Sequence, residues 1–307
     1  MRKFTIPIAI VTGLIAPSAL AADIAVKGPP APPPAPVYNW TGWYVGVNAG
    51  ASFGTADTDF HGAPIFAVNT LLPSPVTDHI TSAFAFSDQA QPNGFMGGGQ
   101  IGYNWQYSPL IVVGVEADFQ GALEKDTSNL GPQNVNFTSV AAVCGTSTHP
   151  CTATLSHTTQ IDWFGTVRAR IGYVWGNGNV MSYLTGGLAY GEVKINGTNA
   201  ISGPFDSSLA DGTISATATF SQSHVNTGWV VGYGTEGVID FWGARNWTWK
   251  IEGLWMDLGS LDATGPSSIS CISPCLAVGA FFTGGQVTTH THFTDGILRG
   301  GLNYKFY

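Results

Sequence analysis

The stretch Trp163-Phe164-Gly165-Thr166-Val167-Arg168-Ala169-Arg170-Ile171-Gly172-Tyr173 decides the fold. Odd positions hold Trp, Gly, Val, Ala, Ile and Tyr, and both arginines fall on even ones. A period of two belongs to a strand whose faces meet different surroundings. Val113-Gly114-Val115-Glu116-Ala117-Asp118-Phe119 repeats it with both acids on the even side. Trp247 to Trp255 does so again, with Lys250 and Glu252 on the polar side. A soluble sandwich would bury the apolar face, whereas here that face is available to lipid.

Working outward, eight segments alternate in this way, near 43–54, 94–106, 110–121, 160–174, 180–193, 223–239, 246–258 and 291–306. No segment after the first forty residues offers the roughly 18 uninterrupted apolar residues of a membrane helix. Short links near Tyr107–Pro109, Trp175–Asn179 and Asp240–Arg245 alternate with long Ser/Thr/Gly-rich ones near 55–93, 122–159, 194–222 and 259–290. Strict short–long alternation predicts an all-β, antiparallel, up-and-down transmembrane barrel of eight strands, with short periplasmic turns and long extracellular loops. An even, closed ring pairs every backbone group within the bilayer.

Composition agrees. The chain has 307 residues, of which 44% are hydrophobic, 12% aromatic and only 10% charged, against about 25% charged in a soluble domain. Net charge is −8 with eleven scattered bases, which argues against nucleic acid as a partner. Trp40, Trp43, Tyr44, Tyr103, Trp105, Tyr173, Trp175, Trp247 and Tyr304 fall near the short-turn end. Phe53, Phe119, Trp163, Tyr190, Trp229, Trp255 and Phe293 fall near the other. Both sets are expected to form interfacial girdles.

The first residues read as export machinery. Arg2 and Lys3 precede an apolar run ending in Ala19-Leu20-Ala21, the pattern of a signal peptide spanning 1–21. Residues 22–39 form a Pro-rich periplasmic segment, extended by its prolines, and 40–307 the barrel domain.

Parity assigns Glu116, Asp118, Asp162, Arg168, Arg170, Glu236, Lys250, Glu252, Asp295, Arg299 and Lys305 to the inward face, six acids against five bases. Near-neutrality in so narrow a tube predicts paired charges filling the lumen. The competing reading is a charge-lined, cation-leaning pore. The acidic surplus sits in the long loops; the first holds Asp57, Asp59, Asp78 and Asp88 with no base.

Cys144 and Cys151 in the second long loop, and Cys271 and Cys275 in the fourth, are expected to form disulfides after export. His290 and His292 stand two apart on one strand face and are weak candidates for a metal or haem iron. The pairs Ser156-His157 and Ser223-His224 are adjacent, so their side chains point opposite ways and neither is a catalytic dyad. No enzymatic activity, catalytic residue or cofactor is expected.

Several segments resemble a known family: Trp40-Thr41-Gly42-Trp43-Tyr44-Val45-Gly46, Gly97-Gly98-Gly99-Gln100-Ile101-Gly102-Tyr103-Asn104-Trp105-Gln106, Thr166 to Tyr173, Gly186-Gly187-Leu188-Ala189-Tyr190-Gly191 and Leu302-Asn303-Tyr304-Lys305-Phe306. They are similar to the eight-stranded outer-membrane immunogenic proteins of alphaproteobacteria, relatives of the opacity proteins. Two features depart from that pattern: Tyr307 follows the usual terminal Phe, and the loops are long and carry cysteines.

The resemblance implies a structural, surface-exposed outer-membrane protein of a Gram-negative bacterium. A small porin is the alternative, and surface haem or cation binding a second. Expected partners are outer-membrane lipids, lipopolysaccharide and, during biogenesis, the barrel-assembly machinery.

Overall fold

A computed structural model describes residues 38–62, 65–69, 76–80, 84–135, 137–138, 142–144, 151–207, 212–241, 244–272, 280–283 and 285–306. The expected signal peptide and most of the Pro-rich segment lie outside these residues. So does Cys275, together with the side chains of Cys144, Cys151 and Cys271.

Eight long strands carry the fold: β1 (Gly42–Gly62), β2 (Asn93–Gln106), β3 (Ile111–Val135), β4 (Cys151–Trp175), β5 (Val180–Ser207), β6 (Gly212–Phe241), β7 (Ala244–Ile272) and β8 (Gln286–Lys305). Each pairs antiparallel with its sequence neighbours, and β8 returns to β1 from Tyr44↔Lys305 to Gly62↔Val287. The ring therefore closes, leaving no strand edge at this level to meet lipid.

The β4–β5 turn shows why a short link suffices. Gly176, Asn177 and Gly178 have φ of 61°, 56° and 87°. That left-handed run suits Gly and Asn and is costly for other side chains.

Beyond the membrane-facing band the strands continue well past their expected ends. Residues 194–205 and 212–222, which read as a loop, form a ladder from Lys194↔Ser223 to Phe205↔Gly212. Its buried residues Ala216, Ala218 and Phe220 alternate with Ser and Thr, so period two persists with a wetter outer face. The strand Phe84–Ala90 adds to this upper wall beside β1.

Candidate functional site

The lumen is the site that the sequence points to. The outer wall exposes Val47, Leu184, Leu188, Ile251 and Leu298, with Phe95 at 76% and Leu123 at 80%. Charges consequently collect inside. Ten of the eleven residues assigned inward are buried: Glu116, Asp118, Arg168, Arg170, Glu236, Lys250, Glu252, Asp295, Arg299 and Lys305.

Arg168 is the hub. Its Nη2 lies 2.6 Å from Glu116 Oε1 and 3.0 Å from Asp118 Oδ2, and its Nη1 lies 2.9 Å from Glu252 Oε1. Arg299 binds Asp118 Oδ2 and Glu252 Oε2, both at 2.7 Å. Lys250 Nζ donates to Glu116 Oε1 at 2.7 Å, and Arg170 Nη1 to Glu236 Oε2 at 3.2 Å. Four acids thus meet four bases, and the knot is neutral.

Neutral side chains line its edge. Tyr44 Oη donates to Glu116 Oε2 at 2.7 Å, and Tyr183 Oη to Glu252 Oε1 at 3.1 Å. The Arg170 guanidinium lies 4.7 Å from the Tyr44 ring centre and 5.2 Å from that of Tyr183, within cation–π range of both. A Cβ at Gly102 would fall 2.1 Å from Tyr44 Oη, and one at Gly234 2.5 Å from Tyr183 Oη. Both positions must be glycine for the rings to lie against the wall. Thr248 and Asn303 donate to Glu236 at 2.5 and 2.9 Å. A buried ion pair is tolerated when most of its remaining lone pairs and protons are matched in this way; among the described residues, only Asp118 Oδ1, Arg170 Nη2 and Arg299 Nη1 of the knot make no hydrogen bond.

The short-turn end is corked. Trp40 is 1% exposed. Its Nε1 donates to Gly178 O and its backbone N–H to Gln106 Oε1, both at 3.0 Å. Tyr38 packs edge-on against it at 4.9 Å, over Val112, Val174, Met181 and Tyr183. Lys305 Nζ donates to Asn39 O and sits 4.8 Å from the Tyr38 ring, so it belongs to this cork and not to the knot.

Four expectations are corrected by these positions. Asp162 is not inward. The β4–β5 register shifts at Glu192/Val193, and Asp162 turns to the outer surface, where Lys194 Nζ lies 2.5 Å away with both side chains about a third exposed. Trp40 and Tyr44 leave the lower girdle for the interior, and Phe293, also buried, leaves the upper one.

His290 and His292 share an exposed outer face. The first lies 2.6 Å from Asp262 and the second 3.5 Å from Asp257, both at the rim. Among the described residues no group of three His, Cys, Asp or Glu side chains is placed to hold a metal. Glu124, read as loop, is a buried inward carboxylate that the sequence reading missed. Its even position continues the parity of Glu116, Asp118 and Gln120, and that was the available signal.

A closed ring with an apolar belt and a charged core defines an outer-membrane β-barrel. Residues 18–264 match the family described as outer membrane protein beta-barrel domain, and the chain belongs to that family. The 31 kDa outer-membrane immunogenic proteins of Brucella melitensis and Brucella suis are each 33% identical over 301 residues, spanning 97% of this chain and 98% of theirs. The expected family resemblance and outer-membrane location are thus borne out.

Among solved structures, Ail of Yersinia pestis aligns with a TM-score of 0.24 at 13% identity, covering 84% of this chain and 98% of Ail. OprG from Pseudomonas aeruginosa aligns with a TM-score of 0.28 at 11% identity, covering 87% and 97%.

Proposed function

We propose that the protein is a structural, surface-exposed wall component of the outer membrane whose lumen carries no solute. The observation behind this is the neutral knot around Arg168, closed below by Trp40. Every charge in it is held by two or more partners across different strands. An ion would have to break several such contacts to pass, whereas conduction needs sites weak enough to leave.

The apolar belt is the surface for outer-membrane lipid and lipopolysaccharide. Leu302, Tyr304 and Phe306 present an exposed outward row at the C-terminal end, suited to capture by the barrel-assembly machinery. No catalytic role is assigned. His157 is buried inside the wall, out of reach of the adjacent, exposed Ser156.

Osmotic swelling of proteoliposomes in small sugars tests the closed lumen. No swelling above protein-free vesicles is expected, and swelling that rises with protein content would assign a porin instead.

A further inference from the structure

Above Pro92 the wall is a rolled sheet with two edges. The strand Phe84–Ala90 pairs with β1 from Ala56↔Ala90 to Gly62↔Phe84 and, among the described residues, with no other strand. The β2–β3 ladder ends at Met96↔Ala122. Farther up, the described partner of β3 is β4 alone, from Glu124↔Ile161 to Val135↔Cys151.

Pro92 starts the split, because it brings no N–H to a ladder. Its carbonyl still accepts the Gly54 N–H at 3.1 Å. Gln89 and Ser87 donate to Asp57 and Asp59 of β1 at 2.7 and 2.6 Å. The strand therefore stays with β1, and the split falls on the β3 side. Side chains close that seam. The Gln91 N–H goes to Asp126 Oδ2 at 2.8 Å rather than to a backbone carbonyl. Ser128 Oγ donates to Asp88 Oδ2 at 2.6 Å.

His157 stands behind this latch. It is the register partner of Ser128 on β4, is 1% exposed, and has its ring 5.1 Å from that of Phe60. Neither ring nitrogen has a hydrogen-bond partner. Its Nδ1 is 3.7 Å from Asp88 Oδ2, the same oxygen that Ser128 occupies. The charged groups that act on the ring are Asp88 from the edge strand and Asp126 from β3. From β1 and β5 it meets Phe60 and Gly197.

The neutral ring suits these apolar surroundings. The imidazolium has two N–H donors and a charge, and must find a carboxylate or water. Asp88 Oδ2 supplies the first by turning from Ser128, and water arrives once the edges part. Burial holds the imidazole below its usual pKa against the pull of the two aspartates, so a proton taken up here favours the opened form.

We propose that this seam is an acid-sensitive opening in the extracellular wall: protonation of His157 draws Asp88 off Ser128, and the edges formed by Phe84–Ala90 and β3 separate. Opening bares the β3 edge and the inner side chains Phe60 and Leu155.

The test is hydrogen–deuterium exchange of the full chain in lipid vesicles, with rates corrected for the intrinsic effect of pH. Measurements at about pH 7.5 and about pH 5.5 bracket the ordinary imidazole value of about 6.5. Acidification is expected to speed exchange in 84–91 and 124–130. Residues 287–293 of β8, at the same height and paired on both sides, keep their protection. His157→Gln removes the selective rise. Ser128→Ala takes away the latch hydroxyl and speeds exchange in the same two segments already at the higher pH. Both variants keep the heat-dependent gel shift of a folded barrel. Unchanged protection along the seam, or faster exchange spread evenly over all extracellular strands, overturns the proposal. So does slower exchange in acid, which would mean that the imidazolium cements Asp88 in place, or a rise that survives in His157→Gln.

Discussion

The lower and upper halves of this barrel are inside-out with respect to each other. In the membrane band β4 points Val167, Ile171 and Tyr173 outward and Arg168 and Arg170 inward. Farther up the same strand, Thr154, Ser156, Thr158 and Gln160 face out, and Ala153, Leu155 and Ile161 face in. The solvent explains the reversal. Where lipid wets the wall, the outside is apolar and the inside can be filled by matched ions. Where water wets it, the inside must supply the hydrophobic burial, as in any soluble sheet. The bulge at Asp162 is the hinge of this change on β4: inward residues are odd above it and even below it.

The largest expected effect breaks the lower half alone. Arg168→Ala leaves Glu116, Asp118 and Glu252 short of a cation, and removing one partner of a buried pair costs about 3–5 kcal/mol. Urea unfolding in lipid vesicles should show a loss of that size. Leu261→Ala empties part of the apolar upper core instead, at about 2–5 kcal/mol. Limited proteolysis should then cut the extracellular strands and leave a membrane-protected barrel.

Tyr44→Phe removes one hydroxyl from Glu116, and a hydrogen bond to a charged group is worth about 1.5–3 kcal/mol. The same urea titration reads it, with the protease pattern unchanged.

A pH effect should be confined to the upper half. His157 lies beyond the membrane band, buried against Phe60 with Asp88 3.7 Å away and Asp126 also facing it. Burial lowers its pKa, partly opposed by the two aspartates. The unfolded chain therefore takes up the proton first, so the stability this residue contributes is intact near neutrality. It is lost as the pH falls below the ordinary imidazole value of about 6.5. Protease resistance of the extracellular strands should fall between about pH 7 and pH 5, and His157→Gln should flatten that profile.

The smallest effect belongs to Asp162→Asn. Its pair with Lys194 is exposed to water at the rim, where such pairs contribute little. The unfolding midpoint should not move beyond error.

Most of the lower half was legible in the sequence because its alternation is uninterrupted. Residues 111–124 and 166–175 never break phase, so parity alone placed Glu116, Asp118, Arg168 and Arg170. Asp162 was misplaced because one bulge residue reverses every assignment beyond it, and a bulge leaves no compositional mark. Tyr44 shares the phase of inward Asn48, but its position near a turn resembles a girdle residue. Trp40 precedes the strand and has no phase to read. The upper half is hidden for a different reason: Ser and Thr on a wet outer face have the composition of loops, and the Ile, Leu and Phe between them are too widely spaced to stand out as a core. Glu124 lay in that overlooked stretch.

A lumen filled in its membrane half by a matched ion knot carries no current. Single-channel recording of the purified full chain in a planar lipid bilayer tests this most directly. The expected result is a flat trace at potentials of either sign, with protein insertion verified independently. Reproducible ohmic steps whose size changes with Glu116→Gln or Arg168→Ala would contradict it.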